Sequence, residues 1–141
     1  MITAVLDANV LVSGFVAGRP DSAVALVLDA WRAGRYSLII SEHLLAEVIQ
    51  TFADPYFAAR LDPAQVTAIP ALLRAHADVV AITATVSGIA SHPEDDLVLA
   101  TAVSARTDYL VTGDERLQAV SVYEDVRIVA PRQFLEILES Q

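Results

Sequence analysis

Three acidic residues stand where strand–helix units of this 141-residue chain would bring their side chains together. Asp7 follows the apolar run Ile2–Leu6, Asp96 opens an apolar helical run, and Asp114 follows the short apolar run Tyr109–Val111. In a parallel α/β unit, the amino end of a helix and the carboxyl end of the next strand lie at the same edge of the sheet. We therefore expect Asp7, Asp96 and Asp114 to meet at that edge.

Carboxylates that meet in this way repel one another unless a cation lies between them. Hard oxygen ligands favour Mg²⁺ or Mn²⁺, and such an ion can activate water and neutralise a phosphodiester during in-line displacement. A fourth acid, Glu47, belongs to the helix after the second strand. Its position on the helical wheel places it on the flank of the apolar stripe, so the pattern supports it least.

Each acid also has an ordinary structural explanation. Asp95 and Asp96 are typical of a helix amino end, where acids interact favourably with the helix dipole. Asp7 and Asp114 suit turns, and Glu47 suits a solvated helix face. The metal hypothesis is favoured because these explanations must hold independently for three acids that the topology brings to one edge.

The elements that position these acids alternate along the chain. Apolar, β-branched runs predict five strands, each followed or preceded by a helical pattern: Ile2–Leu6, Tyr36–Ile40, Val79–Ile82, Tyr109–Val111 and Val126–Val129. Alternation of this kind predicts a mostly parallel sheet with helices on both faces, formed by one domain over residues 1–141.

The composition limits the classes of function. The net charge of −9 opposes nucleic-acid binding through bulk electrostatics, unless the acids are clustered around a metal. The chain has no Lys, which excludes a P-loop and the protein-kinase motifs, and no Cys, which excludes disulfides and thiolate chemistry. No apolar run has membrane-spanning length without a charge, and no basic segment precedes the first apolar residues, so we expect a soluble, cytoplasmic protein.

Four segments, in order, resemble the PIN domain family, and specifically its small VapC-like prokaryotic toxin branch: LDANVLVSG, SEHLLAEV, PEDDLVLATAV and DYLVTGDERL. The resemblance implies that Asp7, Glu47, Asp96 and Asp114 bind the metal. Asp95 is an alternative to Asp96, which we prefer because the apolar residues after it fit the family pattern D-x-x-[IL]-A.

The resemblance also implies supporting and partner interactions. Asn9, Ser13 and Thr112 match the polar residues that orient the acids or the phosphate. The implied fold is a three-layer α/β/α sandwich with strand order about 3-2-1-4-5. The implied activity is Mg²⁺- or Mn²⁺-dependent hydrolysis of single-stranded RNA by a homodimer that a cognate antitoxin blocks.

Two other functions and one substrate interface are left open by the sequence. The substrate would be held by local arginines, for which Arg19, Arg106 and Arg116 are the candidates nearest the motifs. A HAD-type phosphatase is an alternative because Asp7 follows a strand, but the second Asp of that motif is replaced by Asn9. The other alternative is a catalytically inert PIN-like module that binds RNA or protein.

Overall fold

The computed structural model describes residues 1–141 as six strands and eight helices. The strands are β1 (Thr3–Leu6), β2 (Ser37–Ile40), β3 (Asp78–Val79), β4 (Tyr109–Val111), β5 (Val122–Tyr123) and β6 (Val126–Val129). The helices are α1 (Ala8–Val16), α2 (Ala23–Arg32), α3 (Glu42–Thr51), α4 (Pro55–Ala58), α5 (Pro63–His76), α6 (Pro93–Ser104), α7 (Glu115–Val120) and α8 (Pro131–Glu139). None of these helices combines the length and apolar character needed to cross a bilayer.

The strands form one sheet in the order β3-β2-β1-β4-β6-β5. All neighbours are parallel except β5 and β6, which form an antiparallel pair at the edge. The sheet is the central layer of an α/β/α sandwich, as the sequence predicts. The buried faces of β1, β2, β4 and β6 supply much of the core, because parallel strands covered by helices on both sides exclude water from both faces.

The number of strands differs from the five that the sequence predicts. The additional strand, β5, contains only Val122 and Tyr123, and Val122 is largely exposed. A two-residue strand with one exposed side chain carries too little periodicity to be recognised. It extends the edge beyond β6 and leaves the order of the five predicted strands unchanged, with Val126–Val129 lying beside β4.

Side-chain caps fix where most helices begin. Six of the eight helices start at a residue whose side chain accepts a hydrogen bond from a backbone N–H in the first turn, namely Asp7, Ser22, Ser41, Asp54, Asp62 and Asp114. Helix α6 has no such cap at His92. Asp7 directly follows β1, Asp114 lies three residues after the end of β4, and both cap the next helix, which fixes their carboxylates at the carboxyl edge of the sheet.

Candidate metal centre

Asp7 is held rigidly at the centre of the carboxyl edge. Its Oδ1 accepts a hydrogen bond from the backbone N–H of Val10 at 2.8 Å, and its Oδ2 accepts a short one from the Thr112 hydroxyl. Burial raises the pKa of Asp7, and the hydrogen bonds from Thr112 and Val10 oppose that effect only in part. A carboxylate in this position is desolvated and gains from a nearby positive charge.

Asp114 receives more hydrogen bonds than any other acid at this edge. Its Oδ1 accepts the N–H of Arg116 at 2.8 Å and that of Leu117 at 3.1 Å. Ser91 donates its hydroxyl to Oδ1 at 3.1 Å and its N–H to Oδ2 at 3.3 Å. Desolvation raises the pKa of Asp114, but the hydrogen bonds from Leu117, Ser91 and Arg116 outweigh it and leave the pKa below its ordinary value. Asp114 is therefore held in its ionised form.

Thr112 links these two acids. Its side chain is fully buried, its hydroxyl donates to Asp7 Oδ2, and the same oxygen accepts the N–H of Asp114 at 3.0 Å. One hydroxyl therefore sets the spacing of two carboxylate-bearing residues, which gives Thr112 a positioning role.

Asp96 does not face the other acids. Its side chain is buried and accepts three backbone N–H bonds from the preceding loop, from Gly88 at 3.0 Å, Ile89 at 3.0 Å and Ala90 at 2.7 Å. Both carboxylate oxygens therefore bind that loop, Oδ1 through two hydrogen bonds and Oδ2 through one. Asp96 therefore holds the loop of residues 88–90 and does not line the clefts that Asp7 and Asp114 border, so these contacts do not support the preference for Asp96 over Asp95.

Asp95 is the acid of helix α6 that shares a site with Asp7 and Asp114. It is half-buried and borders both clefts at this edge. Desolvation, followed by the negative charges of Asp7 and Asp114, raises the pKa of Asp95 to about 6. An elevated pKa with two carboxylates among its causes shows that Asp95 lies in an electrostatic field that a cation would relieve.

Glu47 also faces this edge, although periodicity placed it on a helix flank. Only 12% of its side chain is exposed, because α3 packs against α1, α5 and α6. The His43 Nε2 atom lies 2.6 Å from Glu47 Oε1, close enough for an ion pair, but it also lies 3.1 Å from the Glu94 carbonyl oxygen. The Glu47 Oε1 atom is buried, and His43 Nε2 is the polar group in contact with it. Desolvation raises the pKa of Glu47, with His43 opposing the increase and Asp95 adding to it.

Two clefts meet at these acids. The Glu47 cleft, of about 510 Å³, is lined by Asp7, Asn9, Glu47, Gln50, Asp54, Glu94 and Asp95 among others. The Asp114 cleft, of about 580 Å³, is lined by Asp7, Asn9, Ser13, Ser91, His92, Asp95, Asp114 and Glu115 among others. Asp7, Asn9 and Asp95 border both. Two of the predicted supporting residues, Asn9 and Ser13, therefore lie beside the acids.

The donor set fits a hard divalent cation that keeps part of its water shell. No three acidic or histidine side chains converge closely enough to hold an ion by themselves. Mg²⁺ binds through one or two carboxylates and retains several waters, so a complete protein cage is unnecessary. The desolvation of the Glu47 carboxylate and the repulsion of Asp95 by Asp7 and Asp114 are the unfavourable effects that a bound cation would relieve.

The three candidate arginines are separated by the fold. Arg116 lies at the acidic edge, where its guanidinium donates to the Gly88 carbonyl at 3.0 Å. Arg19 is exposed and lies 3.5 Å from Asp21 in a smaller cleft that borders Ser13. Arg106 follows the carboxyl end of α6, while Asp95 is in its first turn, so the helix separates them by about 16 Å along its axis. The structure therefore does not bring Arg106 to the site.

The sequence profile of the PIN domain family matches residues 3–116. The chain belongs to the PIN domain family. A search of curated proteins finds no match to the chain. The PIN segment includes all four acids discussed above together with Asp95, and it ends within helix α7.

Solved structures with the same fold include three whose sequences differ widely from this PIN domain. VapBC2 from Rickettsia felis, bound to a DNA fragment from their promoter, is 15% identical with a TM-score of 0.57, covering 90% of this chain and 97% of that chain. PAE2754 from Pyrobaculum aerophilum is 17% identical with a TM-score of 0.56, and the match covers 99% of this chain and 98% of that chain. FitAcB from Neisseria gonorrhoeae is 18% identical with a TM-score of 0.54, and the match covers 92% of this chain and 98% of that chain. The TM-scores and the coverage of both chains show a shared fold, and at such low identity they show the fold alone.

Proposed function

We propose that this PIN domain is a Mg²⁺- or Mn²⁺-dependent endoribonuclease and the toxin of a toxin–antitoxin pair. The observation that carries the proposal is the placement of Asp7, Asp95 and Asp114 around one cleft, with Glu47 in the adjoining cleft. The fold shared with VapBC2 and FitAcB supports the assignment to toxins. In this proposal Asp95 replaces Asp96 as the third acid of the metal site.

In this proposal the acidic residues bind the metal ion, and neighbouring polar residues position the acids or contact the substrate. Asp7 and Asp95 border both clefts and would hold the ion, with Asp114 and Glu47 contributing from either side. A divalent ion bound there supplies an activated water and neutralises charge on the phosphodiester. Thr112 and Ser91 keep Asp7 and Asp114 in place, and Asn9 and Ser13 present polar groups toward the substrate phosphate.

Family membership supports the remaining parts of the proposal. A cognate antitoxin would block the acidic edge, the active form would be a homodimer, and an enzyme that hydrolyses cellular RNA would act in the cytoplasm. An inert module that binds RNA is disfavoured because a site that only binds RNA gains nothing from desolvated carboxylates, which repel phosphate. An inert module that binds protein would show no metal-dependent cleavage in the test below. A HAD-type phosphatase is disfavoured by the PIN fold.

The proposal is tested by incubating single-stranded RNA with the purified protein in Mg²⁺, in Mn²⁺ and in EDTA. Cleavage should require the metal, and Asp7→Asn and Asp95→Asn should each reduce its rate by about 100-fold or more, since even outer-shell changes at metal sites cost about 10–100-fold. The matched control is Asp125→Asn, in the turn before β6 at the opposite edge, which should cleave at the wild-type rate. Cleavage that persists in EDTA, or full activity in Asp95→Asn, would contradict the proposal.

A further inference from the structure

An exposed aromatic ring stacked on an arginine lies on the short helix α4. Tyr56 is 59% exposed, and the Arg60 guanidinium carbon lies 3.7 Å from the centroid of its ring. The ring of the buried Phe57 packs against the Tyr56 ring, with their planes at 86° and their centroids 5.2 Å apart. Arg60 is further fixed by a 2.7 Å hydrogen bond from its guanidinium to the Tyr56 carbonyl. Arg60 thus covers one face of the Tyr56 ring, while much of the rest of the ring is exposed to solvent. We call Tyr56 and Arg60 together the Tyr56 platform.

The Tyr56 platform is continuous with the acidic edge. Tyr56 and Arg60 line a cleft of about 330 Å³ together with Ser13 and Val24. Ser13 and Val24 also line the Asp114 cleft. A flexible chain lying across the acids could therefore continue past Ser13 and reach Tyr56 without leaving a recessed surface.

The charge of this cleft is opposite to that of the acidic edge. Arg60 forms no ion pair with a carboxylate, so its charge is available to a ligand. Arg19, also in this cleft, has a carboxylate 3.5 Å away, and both members of that pair are mostly exposed. In a chain of net charge −9, a cleft with two arginines and no lining carboxylate is a local exception.

We propose that the Tyr56 platform is a subsite for single-stranded RNA, where an unpaired base stacks on Tyr56 and Arg60 contacts the backbone phosphate. The inference rests on the proposed function and extends it, because it assigns a substrate-holding surface outside the metal site. A stacked aromatic ring beside a cation is how proteins hold single strands without reading their sequence. A duplex would keep its bases paired and could not use the ring.

The first test measures binding and does not depend on cleavage. Fluorescence anisotropy of a labelled single-stranded RNA, recorded in EDTA, gives Kd for the wild type and the variants. Tyr56→Ala and Tyr56→Leu should each raise Kd about 10-fold, since a stacked base contributes about 1–3 kcal/mol, whereas Tyr56→Phe should leave it close to the wild-type value. The same substitutions should leave the weaker binding of a double-stranded RNA unchanged.

The salt dependence separates the roles of the two residues. Arg60→Ala should lower the slope of log Kd against log salt by about 0.7, the value for one phosphate contact on a single strand. Tyr56→Ala should shift the line without changing its slope. The matched control is Arg127→Ala: Arg127 also lies over a tyrosine ring, Tyr109, 5.5 Å from its centroid, but at the opposite edge of the sheet. Its removal should change neither quantity.

Cleavage kinetics then distinguish failure of the subsite from failure of the proposed function. Under single-turnover conditions, Tyr56→Ala should raise the protein concentration needed for half-maximal rate and leave the maximal rate unchanged. Metal-dependent cleavage by the wild type with an unaffected Tyr56→Ala protein would overturn the subsite alone. Absence of cleavage in every metal would refute the proposed function, while the anisotropy series would still decide whether Tyr56 binds RNA. If Tyr56→Ala changes the sedimentation of the protein but not its RNA affinity, the platform is a contact between protein copies and the proposal is wrong.

Discussion

Replacing Asp96 by asparagine should destabilise the fold, whereas the same replacement at Asp95 should not. Asp96 Oδ1 accepts the N–H groups of Ile89 and Ala90, and Oδ2 accepts that of Gly88. An asparagine can keep its oxygen toward Ile89 and Ala90, but its NH₂ group then faces the Gly88 N–H. The variant also loses the negative charge that strengthens all three bonds.

The expected loss of stability in Asp96→Asn follows from these contacts. One hydrogen bond is replaced by two opposed donors, and two charge-assisted bonds become neutral, which together should lower the free energy of unfolding by about 2–3 kcal/mol. For a chain of this length that corresponds to a fall in Tm of about 5–10 °C. Asp95 makes no such bonds, and removing its charge relieves repulsion with Asp7 and Asp114, so Asp95→Asn should be as stable as the wild type or more stable.

Chemical denaturation and thermal unfolding in EDTA measure both variants without interference from metal. The control is Asp125→Asn, whose exposed turn position at the opposite edge tolerates asparagine at positive φ and should change stability by no more than about 0.5 kcal/mol. Wild-type stability in Asp96→Asn would refute the structural role given to Asp96. A loss of stability in Asp95→Asn equal to that in Asp96→Asn would refute the distinction between the two.

Three further predictions concern the same framework. Thr112→Val removes the hydroxyl that joins Asp7 to Asp114 and should reduce the cleavage rate by about 10–100-fold in a single-turnover assay; unchanged activity would show that the link is dispensable. Gly14→Ala should lower the free energy of unfolding by about 1–3 kcal/mol in urea titrations, because a Cβ there would lie 2.6 Å from Leu28 Cδ2 on the neighbouring helix; wild-type stability would mean that Leu28 moves aside freely. The pKa of Asp95 is raised from 3.8 to about 6, so its ionisation opposes folding above that range and has no effect below about pH 4. The stability gained in Asp95→Asn should therefore reach about 1–2 kcal/mol at pH 7.5 in EDTA, after allowance for solvent screening of the half-exposed carboxyl, and should vanish near pH 4; a gain that is independent of pH would contradict the assigned shift.

Four of the strands could be predicted from the sequence because β1, β2, β4 and β6 are short, mostly apolar runs. The third strand was expected at Val79–Ile82 but forms only at Asp78–Val79, where both residues are exposed. Both faces of β1 and β4 are covered, so their residues read as continuous hydrophobic segments that end at Asp7 and Asp114. The positions of those two acids follow directly from the strand ends. The edge strand β5 cannot be predicted from the sequence, because two residues, one of them exposed, carry no recognisable period.

The choice between Asp95 and Asp96 could not be made from periodicity. Helix α6 is buried over the continuous run from Val98 to Ala102, so no polar stripe indicates which direction its first turn faces. The structural argument for Asp95 is that the N–H groups of residues 88–90 bind the carboxylate of Asp96. That contact depends on tertiary structure, because nothing in the sequence of the loop indicates that its N–H groups bind Asp96.

Glu47 shows a related limit. Its helix has an apolar stripe of Leu44, Leu45 and Val48, and a single stripe predicts one buried face. In the fold α3 contacts three other helices, so part of the flank is buried as well, and Glu47 is enclosed there with His43. The hydrogen bond from Ser91 to Asp114 cannot be predicted from the sequence, because a loop serine acquires that role only when the fold brings it to Asp114.

The most direct test of the central claim, that the acidic edge formed by Asp7, Asp95 and Asp114 binds a divalent cation, is Mn²⁺ binding measured by titration calorimetry or by the loss of the free-ion paramagnetic resonance signal. The wild type should bind the ion, Asp7→Asn and Asp95→Asn should each weaken binding by about 10-fold or more, and folded Asp96→Asn should keep an affinity close to that of the wild type. Wild-type affinity in Asp95→Asn, together with lost affinity in folded Asp96→Asn, would contradict the account.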